Sequence, residues 1–424
     1  VQMVVEAQGQ KSPTQRFTER FTRIFVPAIL ILDVLVIIAP PLLGWSSWSE
    51  SFFRGMVLLV AASPCALVIG TPAAILTGIA QAARNGVLIK GGIHLENLGA
   101  LDAMAFDKTG TVTRGQPEVT DVIVIDGSSL SADDLLSLAA AVESRSSHPL
   151  AQAIVQTAGA RELTLPEVSD VQAISGFGVR SAFKGRPVLI GNLRLVVGED
   201  IPVPDPVRAT VESLERSGKT TMVVYGPAPD GEVRFLGIIA VADTPRQTAQ
   251  VALHKLKQMG IRKTVMLTGD NERVAAAIAH RVGLADFKAN LLPEQKLEAI
   301  KALTTQYGQV AMVGDGVNDA PALAQATVGI AMGGAGSDVA LETADVALMA
   351  DDLSRLPFSV GLSRATRRTI LQNLAISLGV IILLIVTSVT GVFGLSAAVI
   401  FHEGSTLVVV ANALRLLRYN GSKE

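Results

Sequence analysis

The chain has 424 residues, of which 49% are hydrophobic and only 17% are charged, and its mean hydropathy is +0.43. Soluble proteins rarely have such a composition, so the sequence predicts membrane-spanning segments together with about two or three domains. The net charge of −2 gives no support for nucleic acid as a partner, and the single cysteine, Cys65, excludes an internal disulfide.

Four apolar stretches are long enough to cross a bilayer, and they form two pairs. They cover about Phe25–Gly44, Phe52–Pro72, Ile370–Val392 and Leu395–Leu414. The turns within the pairs, Trp45–Ser51 and Thr390–Ser396, contain no Lys or Arg, whereas basic residues flank the other ends. By the positive-inside rule the turns face outward and residues 73–363 are cytoplasmic. Residues 1–24 are then a cytoplasmic lead-in, and residues 25–72 and 367–418 are transmembrane hairpins.

The cytoplasmic portion contains two kinds of sequence. Residues 116–239 mix strand-like and helical runs and predict an inserted α+β lobe. Between Asp243 and Ala350, strands alternate with helices and end on small-residue turns, which is typical of a parallel, doubly wound sheet. The strand before Asp107 is expected to join this sheet, so residues 73–115 and 240–358 form one predicted domain.

Asp107 follows the apolar run Leu101–Phe106, which predicts a buried strand. In open α/β sheets the ligand crevice lies outside the carboxyl ends of the strands, where a carboxylate can act as a nucleophile toward a phosphoryl group. Lys108 and Thr109 would offset charge on the phosphoryl oxygens, and Gly110 would let the backbone turn closely around them. The alternative is a polar strand-to-turn junction without chemistry.

Two further strand ends carry oxygen-bearing side chains. Asp315 and Asp319, with Asn318, lie on a glycine-containing turn, and Mg²⁺ prefers a few carboxylates plus phosphate oxygens and water. The segment Thr268-Gly269-Asp270 offers a hydroxyl and backbone N–H groups near a helix start, which suits phosphate. An Asp/Asn/Gly loop without an ion is the alternative for the first turn.

Lys296, in Leu292-Pro293-Glu294-Gln295-Lys296, opens a predicted helix. Its ammonium would neutralise a phosphoryl group, although a lysine at such a position is more often part of a solvated face. Each of these features is weak by itself. The order in which these motifs follow the Asp107 strand along the chain indicates phosphoryl transfer.

With these motifs in this order, the sequence resembles the P-type ATPases, which are built on the haloacid dehalogenase fold. The matching segments are Asp107–Thr111, Thr268–Asp270 and Gly314–Asp319. The resemblance implies ATP and Mg²⁺ as cofactors and phosphorylation of Asp107. It also implies a set of catalytic residues, namely Asp107, Lys108, Thr109, Thr268, Gly269, Asp270 and Lys296, and a set of Mg²⁺ ligands, namely Asp107, Asp315 and Asp319.

The inserted lobe carries Glu143, then Ser147-His148-Pro149-Leu150, then Gly176-Phe177-Gly178. This resembles the nucleotide-binding domain of the heavy-metal branch, type IB, and implies that Glu143, His148, Gly176 and Gly178 surround the adenosine of ATP. A planar imidazole and a close glycine turn suit a purine. Without the resemblance, a histidine that caps or packs before Pro149 is the better interpretation.

The membrane segments carry two polar motifs. Pro64 in Ser63-Pro64-Cys65 removes a helix hydrogen bond and frees backbone oxygens at membrane depth, beside the soft thiolate of Cys65. The fourth span contains His402-Glu403-Gly404-Ser405-Thr406, and ionisable residues within a span mark a functional site by default. Thiolate, imidazole and carboxylate together suit a borderline divalent ion such as Zn²⁺ or Co²⁺.

The two membrane motifs resemble the cobalt-type subgroup of the heavy-metal pumps, with Ser405 where a second glycine is common. The resemblance implies a transported ion held by Ser63, Cys65, His402, Glu403 and Thr406. A kinked helix and a His–Glu pair that only packs helices is the alternative. Asp33 in the first span stays open between a counter-charge or exit-path ligand and a residue near the interface.

The sequence therefore predicts ATP-driven export of a divalent transition metal of the Co²⁺, Zn²⁺ or Cd²⁺ class through an aspartyl-phosphate. The expected location is a cell membrane, of the bacterial inner-membrane kind, and the partners are lipid, ATP and metal ion, without nucleic acid. A membrane-tethered phosphatase leaves the Glu143 and His148 lobe unexplained, and a metal sensor leaves Asp107 and Asp315 unexplained. No Thr-Gly-Glu loop occurs, so we expect the carboxy-terminal part of such a pump, without the upstream helices and the actuator domain.

Overall fold

The computed structural model describes residues 12–125, 130–146, 148–174, 176–316, 319–333, 342–349 and 352–421. Within these ranges the α-helices are α1 Pro13–Leu42, α2 Trp48–Ala61, α3 Cys65–Arg84, α4 Gly92–Gly99, α5 Ala132–Glu143, α6 Pro149–Ala160, α7 Leu193–Gly198, α8 Asp205–Arg216, α9 Gln247–Gln258, α10 Glu272–Val282, α11 Pro293–Tyr307, α12 Ala320–Gln325, α13 Arg355–Val389 and α14 Leu395–Leu414. A wide turn, Lys108–Val112, and a short 3₁₀ helix, Arg415–Arg418, complete the helical segments.

The β-strands alternate with these helices along the cytoplasmic part of the chain. They are β1 Val87–Ile89, β2 Ala103–Asp107, β3 Thr113–Val124, β4 Ser169–Ile174, β5 Gly178–Phe183, β6 Arg186–Gly191, β7 Thr220–Pro227, β8 Val233–Pro245, β9 Lys263–Leu267, β10 Asp286–Lys288, β11 Val310–Gly314, β12 Val328–Met332 and β13 Val346–Leu348.

In the described part of the chain, four helical segments are long and apolar enough to cross a membrane. They are α1, the pair α2 and α3, α13, and α14 with its 3₁₀ extension. The second segment is interrupted, because α2 ends at Ala61 and α3 begins at Cys65. Pro64 has no N–H to continue the helical hydrogen bonds, so the break falls where the sequence predicts it.

Two of these helices begin well before the predicted spans. The helix α1 starts at Pro13 because Ser12 Oγ accepts from the Gln15 N–H at 3.1 Å and Gln15 Oε1 accepts from the Ser12 N–H at 3.0 Å, a capping box. The helix α13 starts at Arg355, and its first turns bury Leu356 and Val360 in the same core as the parallel sheet. Both helices therefore continue beyond the bilayer into the cytoplasmic portion.

The larger sheet has seven strands in the order β1-β13-β12-β11-β2-β9-β10, and only the edge strand β1 is antiparallel to its neighbour. From β2 the chain proceeds to β9 and β10 on one side, and then to β11 and β12 on the other. This is the doubly wound topology predicted from the sequence, with its switch point between β2 and β11. Along β2, Met104 and Phe106 face one core while Ala103 and Ala105 face the other.

The smaller sheet is antiparallel, with the strand order β3-β8-β7-β6-β5-β4. The helices α5 and α6 cover one face through Leu135 and Ile154, and α7 and α8 cover the other through Val196 and Val211. The strands β4 and β5 were not predicted. The edge strand β4 is mostly exposed and has no sustained apolar pattern. The long pair β3 and β8 connects this sheet to the turn after Asp107.

The two sheets are also joined by side chains. Arg273 at the start of α10 forms ion pairs of 3.0 Å with both Glu212 and Glu215 of α8. Asn271 Nδ2 donates to Glu215 Oε1 at 2.8 Å. The helix α8 of the inserted lobe is thus held against the start of α10, near the carboxyl end of β9 in the parallel sheet.

Candidate functional site

Asp107 lies at the carboxyl end of β2, at the switch point of the parallel sheet. Every residue of β2 is buried, and Asp107 itself is 5% exposed. The ammonium of Lys296, from the first turn of α11, lies 2.5 Å from Asp107 Oδ1 and 2.7 Å from Asp319 Oδ1. The structure therefore brings together three charged residues that are far apart in the sequence.

The charges at this site do not balance. Burial and the neighbouring Asp319 raise the pKa of Asp107 to about 7, although Lys296 acts in the opposite direction. Burial acts to lower the pKa of Lys296, but Asp107 and Asp319 outweigh it and raise that pKa. Asp315 adds a third negative charge and further raises the pKa of Asp107. A further cation at this site would favour the ionised, nucleophilic form of Asp107.

The turn after β11 supplies the oxygen atoms that such a cation needs. Asp319 is 1% exposed, and its Oδ2 atom is buried without a hydrogen-bond partner. Gly110, with φ of +71°, leaves space for Asp315, because a Cβ there would lie 2.8 Å from Asp315 Oδ2. Mg²⁺ fits this donor set, since it usually takes one or two carboxylates and completes its shell with phosphate and water. Asn318 lies outside the described residues.

The predicted phosphate-binding segments border the same crevice. Lys108 forms an ion pair with Asp270, and both lie at the ends of the adjacent strands β2 and β9. Thr268 is buried, and its Oγ accepts from the Asp270 N–H at 3.1 Å, which fixes the turn. Gly269 is exposed and Thr109 is half-buried. The carboxyl ends of β2 and β9 therefore place polar groups around Asp107, and Lys108 and Thr268 among them are buried.

Two residues that hold the catalytic turn were missed in the sequence. Asp243 at the end of β8 accepts hydrogen bonds from Thr113 Oγ at 2.5 Å and from the Gly115 N–H at 3.1 Å. Arg246 donates to the carbonyl oxygens of Gly110 and Thr113, each at 3.0 Å. The available signal was the pair of charged residues around Thr244-Pro245 directly after an apolar strand.

The two polar residues of the inserted lobe lie at neighbouring helix ends. Glu143 ends α5 and is 3% exposed, and burial raises its pKa to about 7. His148 caps α6, because its Nδ1 accepts from the Leu150 N–H at 3.2 Å. The residue is otherwise exposed. Desolvation lowers the pKa of His148, the charge of Asp270 acts to raise it, and the charge of Lys108 lowers it further. The capping role that the sequence left open is therefore present.

The glycine turn connects β4 and β5. Gly176 has φ of +79°, and a Cβ on Gly178 would lie 2.1 Å from the Ile190 carbonyl oxygen, so both positions require glycine. Asn192 was not predicted as a site residue, and its Nδ2 donates to the Gly176 carbonyl oxygen at 3.0 Å. Phe177 between the two glycines is 42% exposed and offers an aromatic face to a ligand.

The predicted membrane ligands are only partly brought together. Ser63 Oγ and Cys65 Sγ lie 3.0 Å apart at the helix break. The fourth span, α14, packs against α3, and His402 on it is 5% exposed. The side chain of Glu403 is 67% exposed and its Oε1 lies 4.0 Å from His402 Nε2. Thr406 Oγ donates to the His402 carbonyl oxygen at 3.4 Å.

Among the described residues, no three His, Cys, Asp or Glu side chains are close enough to hold a metal ion by themselves, either in the membrane spans or around Asp107. At Asp107 the phosphate oxygens and water would have to complete the Mg²⁺ shell. Successive residues of a helix point about 100° apart, and here His402 is buried whereas the Glu403 side chain is mostly exposed. The full five-residue ion site stays a prediction. Asn373 of α13 was missed, and its Nδ2 donates to the Val409 carbonyl oxygen at 3.0 Å, which ties α13 to α14. An amide in an apolar span was the available signal.

Comparisons with known proteins show the family and the fold of the chain. A family model described as haloacid dehalogenase-like hydrolase matches residues 101–327. A probable cadmium-transporting ATPase of Alkalihalophilus pseudofirmus is 45% identical over 423 residues, which cover 99% of this chain and 57% of that protein. A zinc/cadmium/lead-transporting P-type ATPase of Shigella sonnei is 47% identical over 418 residues, which cover 99% of this chain and 55% of that protein.

Among solved structures, a zinc-transporting PIB-type ATPase in its E2.Pi state superimposes with a TM-score of 0.75 at 46% identity. The match covers 98% of this chain and 66% of that one. The chain belongs to the haloacid dehalogenase-like hydrolases. Within them it is a member of the heavy-metal, PIB-type P-type ATPases, with a membrane domain and a cytoplasmic catalytic portion.

The chain spans about half the length of the curated relatives that it matches, namely 57% and 55% of the two described above. Those relatives are named for cadmium, zinc and lead. The assignment to a cobalt-type subgroup, which rests on the two membrane motifs, stays a prediction.

Proposed function

We propose that this chain is the catalytic and ion-translocating part of an ATP-driven exporter of divalent transition metals, of the Zn²⁺ and Cd²⁺ class. The observation that carries the proposal is the buried Asp107 at the switch point, held by Lys296 beside the unpaired Asp319 oxygen. The same chain carries an interrupted span with Ser63 and Cys65 at the break. Coupled ion transport needs a cytoplasmic domain that carries out phosphoryl transfer and a polar site within the membrane that binds the ion.

In the proposed reaction, a carboxylate oxygen of Asp107 attacks the γ-phosphorus of ATP. The bond from phosphorus to the β–γ bridging oxygen breaks, ADP leaves, and an aspartyl-phosphate forms. Lys296 holds the carboxylate in place by its 2.5 Å contact and offsets charge on the phosphoryl group as it is transferred. Mg²⁺, when bound by Asp107, Asp315 and Asp319, supplies charge neutralisation between the phosphates.

The residues around the crevice would bind and orient the nucleotide phosphates. Lys108 is fixed by its ion pair with Asp270, so its charge is positioned before ATP binds. Thr109, Thr268 and Gly269 offer hydroxyl and backbone donors on the rim. The residues of the inserted lobe, Glu143, His148, Gly176 and Gly178, would hold the adenosine. The charges of Lys108 and Asp270 both act on the pKa of His148, which supports a single nucleotide path between the two units.

The domain boundaries proposed for these roles follow the sheets. Residues 73–115 and 240–358 would form the phosphorylation domain around the parallel sheet, and residues 116–239 the nucleotide-binding domain. Residues 25–72 and 367–418 would carry the ion path. The ion would be held by the buried His402 and by the half-buried Ser63, Cys65 and Thr406, and the exposed Glu403 would join them only after a rotation of α14.

Metal-stimulated ATP hydrolysis by the full-length protein tests the proposal. Turnover is measured with Zn²⁺, Cd²⁺, Co²⁺, Ni²⁺, Fe²⁺ and Cu⁺, and Zn²⁺ and Cd²⁺ are expected to stimulate it most, because thiolate and imidazole suit borderline and soft ions. A membrane-tethered phosphatase would instead hydrolyse simple phosphomonoesters without a metal preference beyond Mg²⁺. ATP turnover that no transition metal stimulates would contradict export.

A further inference from the structure

Asp33 is a carboxylate whose position in the first span none of the roles above explains. Most side chains of α1 are exposed on the surface of the helix bundle, and only 6% of the residues in its most apolar segment are buried. The buried residues of α1 are Thr18 and Asp33, and Asp33 is 5% exposed. In the apolar part of α1, the carboxylate of Asp33 therefore faces the neighbouring helices, while most of the apolar side chains face away from them.

The carboxylate of Asp33 has a buried oxygen without a partner. Its Oδ1 atom accepts no hydrogen bond, and no ion pair involves Asp33 within the described ranges. It faces Gly55 of α2, where a Cβ would lie 3.1 Å from Oδ1. The adjacent Arg54 pairs with Glu50 at 2.7 Å instead. A buried carboxylate without a partner is unfavourable in a membrane unless a proton or a cation neutralises it.

Asp33 lies on the outward side of the helix break. Gly55, which it contacts, precedes Pro64 by nine residues, or roughly 13 Å of helix. The turn between α1 and α2 contains no Lys or Arg and faces outward by the positive-inside rule. A cation that leaves Cys65 toward this turn would therefore pass the depth of Asp33.

We infer that Asp33 is a second binding site for the transported divalent cation, on the extracytoplasmic side of the break, and that it receives the ion after Cys65. This inference rests on the proposed export function. A lone carboxylate with water is a weaker ligand for a borderline or soft cation than a thiolate with imidazole. A weaker site further outward suits release, because conduction requires that the ion is able to leave each site.

The test uses the full-length protein in lipid vesicles, with Zn²⁺ as the ion. Asp33→Asn removes the charge at nearly constant shape, and Asp33→Glu retains it. The matched control is Val34→Ala, at a neighbouring position that is 53% exposed. Two quantities are measured for each protein, namely the Zn²⁺-dependent phosphoenzyme formed from ATP and the rate of Zn²⁺ transport.

We expect Asp33→Asn to form the phosphoenzyme within about twofold of wild type but to transport Zn²⁺ about tenfold more slowly, because the ion binds inside normally and leaves slowly. Asp33→Glu should recover most of the transport, and Val34→Ala should match wild type. Wild-type transport by Asp33→Asn would overturn the inference and leave the export proposal intact. Loss of the phosphoenzyme in Asp33→Asn would also overturn it, since Asp33 would then act before phosphorylation. Absence of Zn²⁺-dependent phosphoenzyme in wild type would refute the export proposal, and the inference with it.

Discussion

The proposed phosphorylation site and the proposed ion site in the membrane both lie where a strand or helix ends or breaks, but they differ in how their side chains are held in place. At the first, Asp107, Lys296 and Asp319 are already in contact at 2.5 and 2.7 Å. At the second, Ser63 and Cys65 lie 3.0 Å apart, while the Glu403 side chain is 67% exposed on a neighbouring helix. Strand ends in a parallel sheet converge by topology, whereas ligands on separate membrane helices meet only when those helices are suitably rotated.

The two sites therefore need different degrees of rigidity. A nucleophile must be fixed before ATP binds, because positioning supplies much of the rate enhancement in phosphoryl transfer. An ion site must both bind and release, so its ligands need two arrangements. The predictions below test whether the phosphorylation site is as fixed, and the membrane site as adjustable, as the contacts indicate.

The largest effect is expected for Lys296→Met. Without the ammonium, Asp107 and Asp319 face each other unpaired, so the pKa of Asp107 should rise further and the nucleophile should be protonated at neutral pH. The rate of phosphoenzyme formation should fall by about two to three orders of magnitude. The matched control is Lys301→Met on the exposed face of the same helix, with its side chain 47% exposed. Near-normal phosphorylation of Lys296→Met would show that the contact is not needed.

Gly110→Ala should have the next largest effect. The added Cβ would lie 2.8 Å from Asp315 Oδ2 and would push that carboxylate away from the Mg²⁺ position. Phosphorylation should weaken by about ten- to a hundredfold, and part of the loss should be recovered at high Mg²⁺. Gly185→Ala is the control, because Gly185 has φ of +72° with nothing within 4 Å of its Cβ position. Equal losses in both variants would point to backbone strain alone.

The membrane site gives a smaller and metal-dependent prediction. Cys65→Ser should reduce stimulation by Cd²⁺ about tenfold and stimulation by Co²⁺ less, because the remaining nitrogen and oxygen ligands are harder. His402→Ala should impair turnover more than Glu403→Ala, since His402 is 5% exposed and Glu403 faces outward. The measurement is metal-stimulated ATPase activity across the metal panel. Equal, severe losses with Glu403→Ala for every metal would indicate that α14 rotates to bring Glu403 to the ion.

The last prediction concerns stability rather than activity, namely its pH dependence at Glu143. Burial raises the pKa of Glu143 from 4.5 to about 7, so the folded protein keeps a proton that the unfolded chain releases. Stability is therefore lost as the pH rises from about 4.5 to 7, by up to about 3 kcal/mol. Glu143→Gln removes this dependence, and its unfolding temperature should rise relative to wild type between pH 5 and 8.

The control for that measurement is Glu167→Gln, because Glu167 is exposed. Its unfolding temperature should follow that of wild type at every pH. A constant difference between Glu143→Gln and wild type across the pH range would show that Glu143 is ionised in the folded protein.

The sequence was sufficient for those parts of the site that depend on local chain geometry. The strand before Asp107 and the turn at Asp315 are recognisable because an apolar run ends in polar and glycine residues. The break at Pro64 follows from the missing N–H group. The doubly wound fold and the membrane segments follow from the alternation of elements and from four long apolar stretches.

Other parts depend on tertiary packing, which local patterns do not encode. Lys296 looked like a surface lysine, and only the packing of α11 against β2 shows it buried between Asp107 and Asp319. The anchoring by Asp243 and Arg246 joins residues about 130 positions apart. The exposure of Glu403 depends on which face of α14 packs against the other helices. The sequence of α14 does not reveal this, because it is apolar on all faces.

The most direct test of the account is the identity of the phosphorylated residue. The full-length protein is incubated with γ-labelled ATP, Mg²⁺ and Zn²⁺, then denatured in acid and treated with hydroxylamine. We predict an acid-stable, hydroxylamine-sensitive label that depends on Zn²⁺, is absent from Asp107→Asn and is retained by the control Asp102→Asn. A label that survives in Asp107→Asn would contradict the account, because the buried carboxylate at the switch point would then not be the nucleophile.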